Sequence, residues 1–172
     1  MGYLAAAVII EEIARMDVRY GGFNQNGGNC PACIYLGGTE EQIKKYVPDL
    51  LAGKTVGMMA LTESGGGSDA AGAMKTTARR EGDVYKLNGS KMWATLGDEC
   101  DVGILLAKTD PEAGAKGVTA FIVEPKKYPG YTAQPIEVGL SSSFRCCALF
   151  LDDFEVPVEN RLGEEGDGFK IV

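Results

Sequence analysis

Met74-Lys75-Thr76-Thr77-Ala78-Arg79-Arg80-Glu81-Gly82-Asp83-Val84-Tyr85-Lys86-Leu87-Asn88-Gly89-Ser90-Lys91-Met92-Trp93-Ala94-Thr95 is the stretch on which the fold turns. Short β-type runs alternate with turn residues along it. Met74–Arg80 reads as a strand, Glu81-Gly82-Asp83 as a turn, and Val84–Leu87 as a second strand. Asn88-Gly89 is a strong hairpin signal leading into a third strand, Lys91–Thr95. The same rhythm continues through Val102–Lys108, Val118–Glu124, Tyr131–Val138 and Cys147–Phe154. About seven short strands at this spacing predict a barrel or sandwich, not a doubly wound sheet.

Upstream the character is helical. Leu4, Val8, Glu11, Glu12 and Arg15 fall at helical spacings. Residues 19–33 are rich in Gly and Asn, and read either as a loop or as a small-residue helix packed against something bulky. A further helix starts at Thr39, where Thr39-Glu40-Glu41-Gln42 forms a capping box. Ile43, Tyr46, Val47 and Leu50 make its apolar side, and Gly53 is a natural stop. The fold class is therefore α+β: a helical segment over 1–54 feeding a mostly antiparallel β-barrel over 55–160. Residues 161–172 read as the start of a further element.

Composition bounds the chemistry. The chain has 172 residues, 45% apolar and 24% charged, which fits globular domains and excludes a disordered chain. There is no histidine, which removes His triads and His metal sites. The net charge of −7 argues against a nucleic-acid partner. No apolar run reaches the ~18 residues of a membrane span. No targeting segment is visible. Five cysteines without a framework spacing read as reduced intracellular thiols.

Three segments have residue types suited to binding. In Thr62-Glu63-Ser64-Gly65-Gly66-Gly67-Ser68-Asp69 the glycines let backbone approach an anion, with Thr62 and Ser68 as hydroxyl donors; the alternative is a plain surface turn. The single Trp93 precedes Thr95 by two residues. It reads either as a ring that stacks on a planar heterocycle or as a core Trp. Cys30-Pro31-Ala32-Cys33 reads as a redox pair or, more simply, as packed reduced thiols. A structural zinc has no second ligand pair, so no metal is expected. Arg19 and Arg145 are isolated cations, read as ion-paired or as anion-binding groups.

These segments, taken in order, resemble the acyl-CoA dehydrogenase family. Leu61 to Asp69 resembles the family's first signature, with Ser64 where Pro is usual and Gly66 where Ala is common. Tyr85 to Thr95 is similar to the strand that ends in Trp-Ile-Thr. Lys116–Glu124 and Phe154–Gly163 match in order and spacing. Glu11–Asp17 is similar to a helix of the family's N-terminal domain.

The resemblance implies three parts: the end of an N-terminal helical domain (1–54), a middle β-barrel that binds flavin and acyl-CoA (55–160), and the start of a C-terminal helical domain (161–172). It implies FAD as cofactor, held by Met59, Leu61, Thr62, Gly67, Ser68, Trp93, Ala94 and Thr95. Ser68 would also lie beside the substrate. It implies α,β-dehydrogenation of an acyl-CoA, an electron-transfer flavoprotein as acceptor, and a homotetramer. The expected place is the bacterial cytoplasm or the mitochondrial matrix, in acyl-CoA metabolism such as β-oxidation. The family's catalytic base is a Glu of the C-terminal domain, so none is assigned within this chain, and the piece alone is expected to be inactive. The alternatives are an acyl-CoA oxidase, an enoyl-CoA reductase, or a barrel that binds without catalysing. Residues 139–147 depart from the family's usual Arg-x-Ser-x-Thr pattern, and 21–33 are unusual for an acyl pocket. Both point toward a small, cyclic, aromatic or carboxylated acyl group.

Overall fold

The computed structural model describes residues 2–137 and 145–172, with side chains for all of these except residue 3 and residues 18–27. Three helices come first: α1 (Tyr3–Met16), α2 (Val18–Gly37) and α3 (Glu40–Leu51). Strands follow: β1 (Gly57–Ala60), β2 (Thr77–Glu81), β3 (Val84–Thr95), β4 (Val102–Lys108), β5 (Val118–Val123), β6 (Tyr131–Ile136), β7 (Cys146–Pro157) and β8 (Arg161–Leu162). A short α4 (Ala70–Ala73) precedes β2, and α5 (Gly168–Ile171) closes the chain.

The Gly-rich stretch belongs to α2, despite Pro31 within it. Cys30, Cys33 and Ile34 are buried on it. α3 starts at the expected capping box: Gln42 N donates to Thr39 Oγ1 at 3.2 Å, and Thr39 N donates to Gln42 Oε1 at 2.9 Å. It ends where Gly53 takes φ 67°, a conformation open to glycine at little cost. The Gln42 amide then donates to Glu159 O (2.7 Å) and Arg161 O (3.0 Å), tying α3 to the turn between β7 and β8.

The sheet runs in the order β6-β7-β3-β2-β4-β5-β8, with β1 beside β4. It is an open path, not the closed barrel expected from strand count. The physical reason lies at the joints: β2 meets β4 through one pair only, Thr77 with Lys108, and β8 is two residues long. The sheet is mostly antiparallel, but β1/β4 and β2/β4 are parallel.

The Asn88-Gly89 hairpin does not form. β3 runs straight through it, and the register against β7 shifts between Leu87 and Gly89. Asn88 clasps Asp153 instead, donating to its carboxylate (2.8 Å) and accepting its N–H (3.0 Å). Gly89, at φ 144°, lets the Thr76 backbone pass: a Cβ there would lie 2.7 Å from Thr76 Cα. The hairpin between β2 and β3 is at Gly82-Asp83. β2 begins at Thr77, later than expected, after α4, which Asp69 caps through Gly72 N (3.0 Å).

Side chains alternate across the sheet and feed two apolar clusters. Tyr85, Leu87, Leu105, Phe121, Leu149 and Phe154 fill one. Ile104, Leu106, Ala120 and Ile122 turn to the other face and meet Ile34, Tyr46 and Leu50 of the helices. β4 and β5 are thus covered on both faces, which explains their mostly apolar sequences. Fully burying a side chain such as Phe121 contributes roughly 1.5–3 kcal/mol.

Candidate functional site

The loop from Leu61 to Asp69 leaves β1 and is fastened to β3. Met92 N donates to Thr62 O at 2.8 Å. Lys91, fully buried, donates to Leu61 O (3.1 Å) and to Glu63 Oε1 (2.8 Å). Glu63 also accepts Lys75 N (2.7 Å) and Thr76 N (3.0 Å). Burial by itself would raise the Glu63 pKa, but Lys91 and these two N–H donors hold it below the usual carboxylate range. A carboxylate so committed is a clamp, not a proton acceptor.

Beyond the clamp the loop turns outward. Gly66 N donates to Glu63 O at 3.1 Å, and a Cβ on Gly66 would lie 2.6 Å from Ala73 Cβ, so the turn packs directly on α4. Ser64, Gly65, Gly67 and Ser68 lie on the outer, solvent-facing part of the turn. The Thr62 and Ser68 hydroxyls make no hydrogen bond among the described residues.

On β3 the pairing with β7 slips between Lys91 and Ala94. Met92 and Trp93 form a bulge, with Trp93 at φ 63°. A tryptophan in the left-handed region stores strain of ~1–3 kcal/mol. The result is a ring that is 51% exposed, so Trp93 is a surface side chain and not a core one. Thr95 returns to the ladder opposite Cys146, its Oγ1 3.7 Å from the thiol sulfur.

The next turn is held from several sides. Leu96, at φ 59°, donates its N–H to Arg145 O (2.8 Å). Tyr131 donates its hydroxyl to Gly97 O (2.7 Å). Arg145 pairs with Asp98 (3.0 Å) and Glu99, so it is a structural cation rather than a ligand anchor.

The structure thus brings Thr62 beside Met92-Trp93, with Thr95 on the same strand end. It separates the other expected site residues by environment. Met59 and Leu61 pack against the helix-side apolar cluster. Ala94 is buried in the opposite cluster. Gly67 and Ser68 lie at the far end of the loop. Arg19 and residues 139–144 lie outside what is described.

Cys30 and Cys33 are packed thiols. Burial pushes Cys30 up to about 12 and raises Cys33 too, so neither is a ready nucleophile. Among the described residues no three His, Cys, Asp or Glu gather as metal ligands, and no helix is long and apolar enough to cross a membrane.

The Lys91–Glu63 pair and the twisted backbone at Trp93 go beyond what the sequence suggests. The one signal in the sequence is Lys91 itself, a charge on the inward register of a strand whose inward neighbours are apolar.

Comparison with known proteins gives a consistent result. Residues 1–54 match the family model "Acyl-CoA dehydrogenase, N-terminal domain" and residues 58–154 match "Acyl-CoA dehydrogenase, middle domain". A glutaryl-CoA dehydrogenase of Desulfococcus multivorans is 41% identical over 175 residues, covering 99% of this chain and 44% of that protein. The glutaryl-CoA dehydrogenase of Mycobacterium smegmatis, solved in complex with FADH2, superposes with a TM-score of 0.79 at 36% identity, over 90% of this chain and 39% of that one. A chain in the structure of the electron transferring flavoprotein of Acidaminococcus fermentans superposes with a TM-score of 0.79 at 44% identity, over 84% of this chain and 39% of that one. The chain therefore spans less than half the length of these relatives. Over the part that it does span, helices and sheet alike, the chain belongs to the acyl-CoA dehydrogenase family.

Proposed function

We propose that this chain is the flavin- and acyl-CoA-binding part of an FAD-dependent acyl-CoA dehydrogenase. The observation that carries this is the bond from Met92 N to Thr62 O, which sets an uncommitted hydroxyl beside an exposed, strained Trp93. Strain at a solvent-facing aromatic is the kind of cost that a bound planar ligand offsets. The donor set suits a flavin: hydroxyls at Thr62, Ser68 and Thr95, and a glycine turn in which a Cβ on Gly67 would meet nothing closer than Thr62 Cγ2 at 4.0 Å.

In this reading FAD, when bound, supplies the hydride acceptor for α,β-dehydrogenation of an acyl-CoA. Thr62 and Thr95 would hold it by hydrogen bonds from their hydroxyls, which suits a ring that gains negative charge. Trp93 would pack against the ring and keep water from it. Ser68 would hold its phosphate part and border the acyl-CoA. Met59 and Leu61 act by holding the loop, and Ala94 and Gly67 through backbone. Glu63 is already bound by three donors and takes no proton in this reading; the family resemblance puts the proton-abstracting carboxylate in a C-terminal helical domain.

The domains in this reading are 1–54, 55–160 and 161–172. The assembly is a homotetramer that passes electrons to an electron-transfer flavoprotein, in a bacterial cytoplasm or a mitochondrial matrix. The acyl group is small, cyclic, aromatic or carboxylated, the last in keeping with the glutaryl-CoA relatives. The test uses the full-length protein with bound FAD and a panel of glutaryl-, isovaleryl-, octanoyl- and palmitoyl-CoA. Bleaching of the flavin by a short or dicarboxylic ester, with electrons going to an artificial acceptor, supports the reading. Preference for octanoyl- or palmitoyl-CoA overturns the acyl assignment, oxygen consumption points to an oxidase, and a colourless protein overturns the whole.

A further inference from the structure

We infer that Asn88 is a latent deamidation site, held closed in the folded chain by Asp153. In an Asn-Gly pair the backbone nitrogen of the glycine can attack the side-chain amide carbon of the asparagine, and no Cβ on the glycine obstructs it. Here a bond would form from Gly89 N to Asn88 Cγ, and ammonia would leave, giving a cyclic imide. Water then opens the ring at either carbonyl. One product is aspartate; the other is isoaspartate, in which the backbone runs through the former side chain. The reaction consumes only water.

Two features of β3 leave this pair open to that chemistry. Asn88 is half-buried and Gly89 is exposed, so water reaches the peptide. The ladder to β7 is also interrupted there. Leu87 pairs with Phe154 and Gly89 with Leu151, so Asp152 and Asp153 together face the single residue Asn88.

The clasp opposes the attack. Asn88 Nδ2 donates to Asp153 Oδ1 at 2.8 Å, and Asn88 Oδ1 accepts the Asp153 N–H at 3.0 Å. Both polar atoms of the amide are therefore held by one residue of the neighbouring strand. Bringing Asn88 Cγ to Gly89 N requires the side chain to rotate, which breaks both bonds, one of them to a charged acceptor. The rate then follows how often this rung opens. Conversion would set a new carboxylate against that of Asp153. Isoaspartate would also add a carbon to the β3 backbone between the Gly82-Asp83 hairpin and Trp93. The inference rests on the β3–β7 clasp and not on the flavin reading.

The experiment is peptide mapping by mass spectrometry of the full-length protein, aged at mildly alkaline pH. Mapping separates Asn88 from Asn26, which begins the other Asn-Gly of the chain. Asn88 should convert at least about tenfold more slowly in the folded protein than in the same protein in urea. Asp153 sits at φ 47°, a conformation that glycine and asparagine also accept, so both can replace it without backbone strain. Asp153→Gly removes the carboxylate and should speed conversion about tenfold, as for loss of one hydrogen bond to a charged group. Asp153→Asn keeps an acceptor oxygen and should stay near the native rate. Melting curves show whether each variant is folded during ageing, and the comparison of native protein with and without urea needs no variant. Equal rates in folded and unfolded protein overturn the inference. So does an Asp153→Gly rate equal to the native one, or an Asp153→Asn rate as fast as that of Asp153→Gly.

Discussion

Lys91 Nζ lies 2.8 Å from Glu63 Oε1, with the two side chains 0% and 7% exposed. An ion pair this deep is not a large net source of stability, because desolvating both charges offsets most of their attraction. Its importance is positional: the pair fixes where the loop after β1 meets β3.

Breaking the pair one-sidedly should be costly. Glu63→Gln leaves a buried ammonium without its counter-ion, and a loss of about 3–5 kcal/mol is expected in urea unfolding. Lys91→Met strands the carboxylate and should cost a similar amount. The double variant should be less destabilised than the sum of the two, since neither charge is then left alone.

The same pair sets an acid limit. Because the Glu63 pKa is lower in the folded chain than its reference of 4.5, the unfolded chain binds its proton first as pH falls. The stabilisation is complete above about pH 4.5 and is lost as pH falls below that value toward the folded pKa. Stability followed from pH 6 to pH 2 (about the range of the carboxylates) should fall less steeply in Glu63→Gln than in the native chain. Equal slopes would show that Glu63 does not titrate differently on folding.

Trp93 offers the opposite trade. Trp93→Gly removes a left-handed tryptophan, so unfolding free energy should stay level or rise by about 1 kcal/mol. The affinity of the full-length protein for FAD should fall about tenfold, as expected for loss of an aromatic contact of ~1.4 kcal/mol. Loss of stability together with unchanged FAD binding would contradict the assigned role.

Gly89→Ala tests the close approach of β3 to Thr76. The φ of 144° and a Cβ position 2.6 Å from Thr76 Oγ1 leave no room for a methyl group. A loss of about 2 kcal/mol is expected, from strain and displaced backbone. A crystal structure in which Thr76 moves aside at no cost in stability would refute it.

Much of the fold is legible from local pattern. The Thr39 capping box, the apolar side of α3 and the existence of the strands depend on neighbours in sequence, and the structure contains each of them. What differs depends on partners far along the chain. Asn88-Gly89 has the chemistry of a tight turn, but Asp153, 65 residues away, claims the Asn88 side chain. Closure of a barrel cannot be read from strand count, because it depends on how many rungs β2 and β4 share. At the candidate site, residue types at Thr62, Trp93 and Thr95 are informative. The buried partner of Glu63 is not, because Glu63 and Lys91 are 28 residues apart and only the fold makes them neighbours.

The outermost strand, β6, carries Pro135 opposite Cys147. Proline has no N–H to offer, so at that rung the open side of the sheet cannot recruit a strand from another molecule. Pro135 thus leaves that rung of β6 one donor short, which Val or Thr in its place would supply.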